Sequence, residues 1–180
     1  MELIKVLNEN GQETGQILDR NIVHKKGLWH REVAVWVFNN KGEILIQRRS
    51  EDKKVCPNKL SICAGHIESK NDSITTAQIE LQEEIGISKE LKNIFYLLTE
   101  KKEKEFNKNL INRIFSDVYY IIENRDISKF TIQKEELSEV FWIDYLDFKK
   151  KIMDKDNEIS ITYTPKKFEL LDKIYSKITQ

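Results

Sequence analysis

Apolar and polar residues alternate with a period near two along much of this chain, and with a period near 3.6 along two stretches. Residues 2–7 and 12–19 read as two strands joined by the turn signal Asn8-Glu-Asn-Gly11, which makes an N-terminal β-hairpin. Residues 31–39 are valine-rich and apolar, and a strand at 43–49 follows after Asn39-Asn-Lys-Gly42. In that strand Ile44, Ile46 and Arg48 share one face, and Leu45, Gln47 and Arg49 share the other. Only one of Arg48 and Arg49 therefore faces any cleft. A polar loop over 50–58 ends at Pro57–Asn58, and a short strand over 60–64 leads to Gly65. A helix is predicted from Ser73, its N-cap, to Ile85, with Gly86 placed to stop it. Further strands are predicted at 92–99, 112–122 and 139–143, with Lys101-Lys-Glu-Lys-Glu105 as a solvated loop. Pro165 opens a last helix, 165–178, with Phe168, Leu171, Ile174 and Ile178 on one stripe. Strands mixed with a few helices indicate an α+β fold.

The 180 residues suit a single domain, 1–180, with 1–30 as a hairpin extension. Thirty basic and thirty acidic residues are interspersed, so nothing in the overall charge marks a nucleic-acid binder. No apolar run is long enough to span a membrane and no signal peptide is evident. Cys56 and Cys63 fit no zinc spacing, and reduced thiols in a cytoplasmic protein are the simplest reading. The sequon Asn71-Asp-Ser73 then carries no meaning.

The candidate chemistry lies between Gly65 and Ile87. Glu80, Glu83 and Glu84 project within one sector of the predicted helix. Like charges so placed destabilise a helix, and a hard divalent cation taking oxygen ligands would offset the repulsion. A solvated acidic face is the competing explanation.

The spacing of this segment resembles the Nudix box, G-x5-E-x7-R-E-U-x-E-E-x-G-U with U apolar. Gly65, Glu80, Leu81, Glu83, Glu84, Gly86 and Ile87 match it, whereas Asn71 stands in place of its first glutamate and Ile79 in place of its arginine. The stretches Leu28–Asn39, Ile44–Ser50, Leu60–His66 and Glu135–Trp142 are similar to the branch that includes isopentenyl diphosphate isomerase. The resemblance implies an α/β/α sandwich with the box helix packed on a mixed sheet, and a helix over 144–153. It implies a Mg²⁺-dependent hydrolase, with Mn²⁺ as the alternative ion, that cleaves the diphosphate bond of a nucleoside diphosphate linked to another moiety. Glu80 and Glu84 would be metal ligands, and Glu83 a further ligand or a near acceptor. The backbone carbonyl in the Ala64–Gly65 turn would be another ligand, because glycine permits close approach. Glu83, Glu84 and a distant carboxylate, Glu136, with Glu135 as its rival, would act in catalysis. Arg48 or Arg49 and His66 would contact substrate.

Two alternatives remain open. In the isomerases, histidines matching His24, His30 and His66 build a second metal site, and a cysteine directly precedes the Gly-His pair. Here Ala64 holds that position and Cys63 is one residue back, which in an extended segment is the opposite face. A Ser-Pro-Trp-like segment of that family is replaced by Tyr163-Thr-Pro-Lys-Lys167. The other alternative is a non-catalytic nucleotide-binding module. The implied partner is a small-molecule diphosphate, with neither nucleic acid nor membrane. The group attached to the diphosphate and the oligomeric state, homodimer included, are left open.

Overall fold

The computed structural model describes residues 1–180. Strands β1 (Leu3–Leu7) and β2 (Glu13–Asp19) form the N-terminal hairpin, followed by helix α1 (Arg20–Lys26). Next come β3 (Trp29–Phe38), β4 (Glu43–Arg49), β5 (Leu60–Ser61), β6 (Cys63–His66) and helix α2 (Ser73–Ile85). The chain continues through β7 (Phe95–Asn107), β8 (Leu110–Ile122), β9 (Leu137–Asp144), α3 (Tyr145–Met153) and α4 (Pro165–Ile178).

The nine strands form one mixed sheet with β3 as its hub. β3 runs antiparallel to β6 along Glu32–Val35 and parallel to β8 over its whole length. β4 pairs with β9 and β5, and β7 pairs with β8 alone. Alternation along the strands sends side chains to two faces, and each face has its own core. Val33, Val35, Val37, Leu45 and Cys63 pack under α2 through Ala77, Leu81 and Ile85. Ala34, Trp36, Phe38, Ile44 and Ile46 pack on α3 and α4 through Phe148, Phe168 and Leu171. The result is the three-layered α/β/α sandwich. A smaller cluster of Ile4, Val6 and Val23 ties the hairpin to α1. No helix is long and apolar enough to cross a membrane.

Four local readings change. The cap of α2 is Asp72, whose carboxylate accepts from Thr75 N–H at 2.9 Å, rather than its neighbour Ser73. Residues 101–105 are not a loop: they continue β7, with Lys102 opposite Ile114 and Lys104 opposite Asn112. Ala64 and Gly65 lie inside strand β6 rather than in a turn. α1, absent from the sequence reading, is bounded by Asp19, which accepts from Asn21 N–H, and by left-handed Gly27. Gly86 stops α2 as expected, with φ of 68°.

Candidate active site

Strand β6 brings Gly65 against α2 from the side. A Cβ on Gly65 would lie 1.9 Å from a Glu80 carboxylate oxygen, so only glycine lets that carboxylate cross the strand edge. One turn on, Glu84 is only 5% exposed. Gln47 Nε2 donates to Glu84 Oε2 and to the Ile62 carbonyl, both at 3.1 Å, which fixes the carboxylate beside β4. Glu83 is exposed, at the rim. All three glutamates line a cavity of about 810 Å³ together with Gly65, His66, Arg49 and Glu136.

Electrostatics in this wall are strained. Burial first, then the charges of Glu84 and Glu83, push the Glu80 carboxyl up to about 8. Burial also pushes Glu84 up to about 7, against the opposing pull of its Gln47 hydrogen bond. Two carboxyls that resist ionisation side by side are suited to a bound cation, which would restore the charged form of both. The donor set, all oxygen, suits Mg²⁺ or Mn²⁺.

The remaining sequence candidates separate cleanly. Arg49 lines the cavity, its Nε donating to Val55 O at 3.1 Å. Arg48 faces away, held by Glu139 at 2.7 Å and by Asn58 O at 3.0 Å, so it is corrected from substrate-binding to structural. Glu136 lines the cavity and pairs with Lys53, whereas Glu135 is exposed and outside it. Cys63 points into the core under α2, and Ala64 faces the cavity. Trp36 belongs to the core and to the cavity wall. Trp29 instead lies against Phe115, the two rings tilted, with Lys101 above it.

The three histidines, far apart in sequence, come together. His24 on α1, His30 on β3 and His66 on β6 have ring centroids 5.1–5.2 Å apart. Their candidate ligand atoms all lie within 4.8 Å of one another. Each Nε2 is buried without a hydrogen-bond partner. Burial foremost holds His24 and His30 down to about 4, and drives His66 well below the usual histidine range. Neutral imidazoles with a free ring nitrogen are the form that binds a metal. Lys53, absent from the sequence reading, also belongs to the cavity; its place four residues after Arg49, in a polar loop, was the available signal.

Comparisons with known proteins bear on the family and the fold. Residues 28–163 match the model of the NUDIX domain. Nudix hydrolase 3 of Arabidopsis thaliana is 35% identical over 162 residues, covering 86% of this chain and 21% of that protein, so the chain spans about a fifth of its length. An isopentenyl-diphosphate Delta-isomerase of Aliivibrio fischeri is 26% identical over 166 residues, covering 90% of this chain and 91% of that protein. Among solved structures, DR0079 from Deinococcus radiodurans superposes with a TM-score of 0.67 at 21% identity, covering 97% of this chain and 99% of that one.

Proposed function

The chain belongs to the Nudix family, and from that premise we propose a divalent-metal-dependent hydrolase that cleaves the diphosphate bond of a nucleoside diphosphate linked to another moiety. One observation carries the reading: Glu80 laid across Gly65 beside the buried Glu84, both resisting ionisation. Mg²⁺ or Mn²⁺ would be held by Glu80 and Glu84, with Glu83 at the rim and the backbone at Gly65 beside them. When bound, the ion neutralises diphosphate charge and lowers the pKa of a ligated water.

The chain's own groups do the rest. Gln47 holds Glu84 in one orientation. Arg49 and Lys53 present positive charge to the diphosphate from β4 and the following loop. Glu136, in the cavity lining and paired with Lys53, would accept a proton from attacking water. The cavity, at about 810 Å³, is within the about 300–1,000 Å³ typical of sites for such ligands.

Against an isomerase, the cysteine next to the Ala64-Gly65-His66 segment, Cys63, is buried under α2 outside the cavity lining, and burial first, then Glu84, raises its thiol well above the usual range. The cysteine that does line the cavity, Cys56, comes from the loop after β4 and not from the strand that carries Gly65 and His66. Against an inert module, Glu80 and Glu84 keep a costly arrangement that packing alone does not require. The histidine cluster adds a second place for a cation, as the resemblance to the isomerases implies. Metal analysis of protein purified without chelator should then find more than one bound ion per chain.

The test is a release screen over a library of nucleoside diphosphate derivatives and isopentenyl diphosphate, with Mg²⁺ and with excess EDTA. Hydrolysis that disappears in EDTA is the expected result. Undiminished turnover in EDTA, or conversion of isopentenyl diphosphate to its allylic isomer, would overturn the reading.

A further inference from the structure

The glutamate wall accounts for only one end of the cavity. Beyond Gly65 the cavity runs over the sheet face opposite α2, and strand register sets its floor. Ala64, Ala34 and Val118, which line it, are successive neighbours across β6, β3 and β8, and Leu98 continues the row into the core on β7. This row is small and apolar where Ala64 and Ala34 meet. The next row on the same face reads His66, Glu32, Ser116 and Glu100. Lys102 follows two residues after Glu100, and α4 supplies Lys167 from above.

These charges are tightly interlocked. Lys167 Nζ donates to Glu100 Oε2 at 3.0 Å and to Thr162 O at 3.1 Å. Thr164 donates to the other Glu100 oxygen. Lys102 Nζ lies 3.4 Å from Glu100 and 3.7 Å from Glu32. The side chains of Lys167 and Glu100 are only 4% and 7% exposed. An ion pair this buried is costly to desolvate, and apolar residues of similar volume would serve the fold as well or better. Its neighbours in the core, Leu98, Val118 and Phe168, are apolar, so packing does not explain it. It stands on the wall of the cavity, and the indole nitrogen of Trp36 in the same wall has no partner within the protein.

Lys102 and Lys167 are each already paired with a carboxylate, so neither ammonium is free to take up a second phosphate. An alkyl or prenyl chain would bury the pairs against carbon and return no hydrogen bonds. An uncharged ring carrying several hydroxyls fits both features. Each hydroxyl donates to a carboxylate and accepts from an ammonium, while the C–H face of the ring lies on Ala34 and Ala64. Resting on the hydrolase reading above, we propose that Glu32, Glu100, Lys102 and Lys167 form a specificity-determining subsite for a sugar, the moiety joined to the substrate diphosphate.

The experiment compares UDP-glucose with an alkyl ester of UDP, which keeps the nucleoside diphosphate and replaces the hexose. Both are measured by turnover and by calorimetric binding, in wild type, Lys167→Met and the charge-balanced double variant Lys167→Met/Glu100→Gln. The double variant removes both charges together, so it keeps the test open if the single one folds poorly. For UDP-glucose, KM and Kd should rise at least tenfold with kcat little changed, and the alkyl ester should be unaffected. A purely structural pair would lower the melting temperature and weaken both ligands alike, which would overturn the subsite, as would unchanged binding of UDP-glucose. If no diphosphate is hydrolysed but UDP-glucose binds and the variants weaken it, the hydrolase reading fails and the subsite stands.

Discussion

Replacing Gly65 by alanine would place a methyl carbon 1.9 Å from a Glu80 oxygen. The intruded atom is the tip of a flexible side chain, so the carboxylate swings away and the strand stays. Gly65 does not need a left-handed conformation, and alanine is otherwise acceptable there. Gly65→Ala should therefore lower turnover at least tenfold, while the melting temperature falls by less than about 3 °C, or about 1 kcal/mol. Steady-state kinetics at saturating Mg²⁺ and a melting curve check both halves; a stable and fully active variant would dissociate Glu80 from the chemistry. Glu84→Gln probes the neighbouring position by charge rather than shape. Gln47 still finds an oxygen to donate to, so folding survives, yet a cation loses a charged ligand. Most turnover should vanish, and a rate equal to wild type would place the chemistry elsewhere.

At the scale of elements, α2 is the structure's clearest debt to local sequence. Asp72→Ala removes the acceptor for Thr75 N–H and should cost about 1 kcal/mol. Thermal unfolding should show that loss with KM unchanged, because Asp72 lies outside the large cavity; an unchanged melting temperature would deny Asp72 the cap role. α2 was legible because its periodicity, its C-terminal glycine and its glutamate spacing are all local. The cap was misplaced by one residue because Asp72 and Ser73 are both good N-caps, and Ser73 instead donates to Asp117 at 2.6 Å. The charged run at 101–105 was misread because its strand state comes from pairing with β8, which is tertiary. α1 could have been found from Asp19 and Gly27, a cap and a stop that bracket seven residues. Strand alternation showed that one of Arg48 and Arg49 faces the cleft, but not which one, since that depends on the partner strands of β4. Nothing local joins His24, His30 and His66; the hairpin, α1 and the β3–β6 register bring them together. The departures Asn71 and Ile79 leave the loop ordered, with Asn71 N–H donating to Glu68 O at 3.0 Å. Glu68 lines the cavity, while Asp72 is occupied as a cap.

Across the molecule, the metal-site carboxyls and the histidine cluster are two sets of buried titratable groups that act on stability in opposite directions. Glu80 and Glu84 have folded-state values raised to about 8 and about 7, above the ordinary 4.5. Between pH 4.5 and those values the folded chain holds protons that the unfolded chain has released, so stability falls as pH rises through this window. His24 and His30 have values lowered from 6.5 to about 4, and His66 is lowered too. Below 6.5 the unfolded chain takes up protons that the folded histidines refuse, so stability falls as pH drops toward 4. Between 4.5 and 6.5 both sets act, and three histidines outweigh two glutamates, so stability still rises with pH there. Above 6.5 only the glutamates remain and the slope reverses. In EDTA the melting temperature should therefore peak near pH 6.5 and decline toward pH 8. Mg²⁺ binds the ionised carboxylates, so it should raise the melting temperature more at pH 8 than at pH 6. The variant Glu80→Gln/Glu84→Gln should lose both the alkaline decline and the response to Mg²⁺, with the acid limb intact. A wild-type curve in EDTA that keeps rising through pH 8 would mean that these carboxyls ionise freely in the fold, and the strained wall at the centre of the proposed mechanism would not exist.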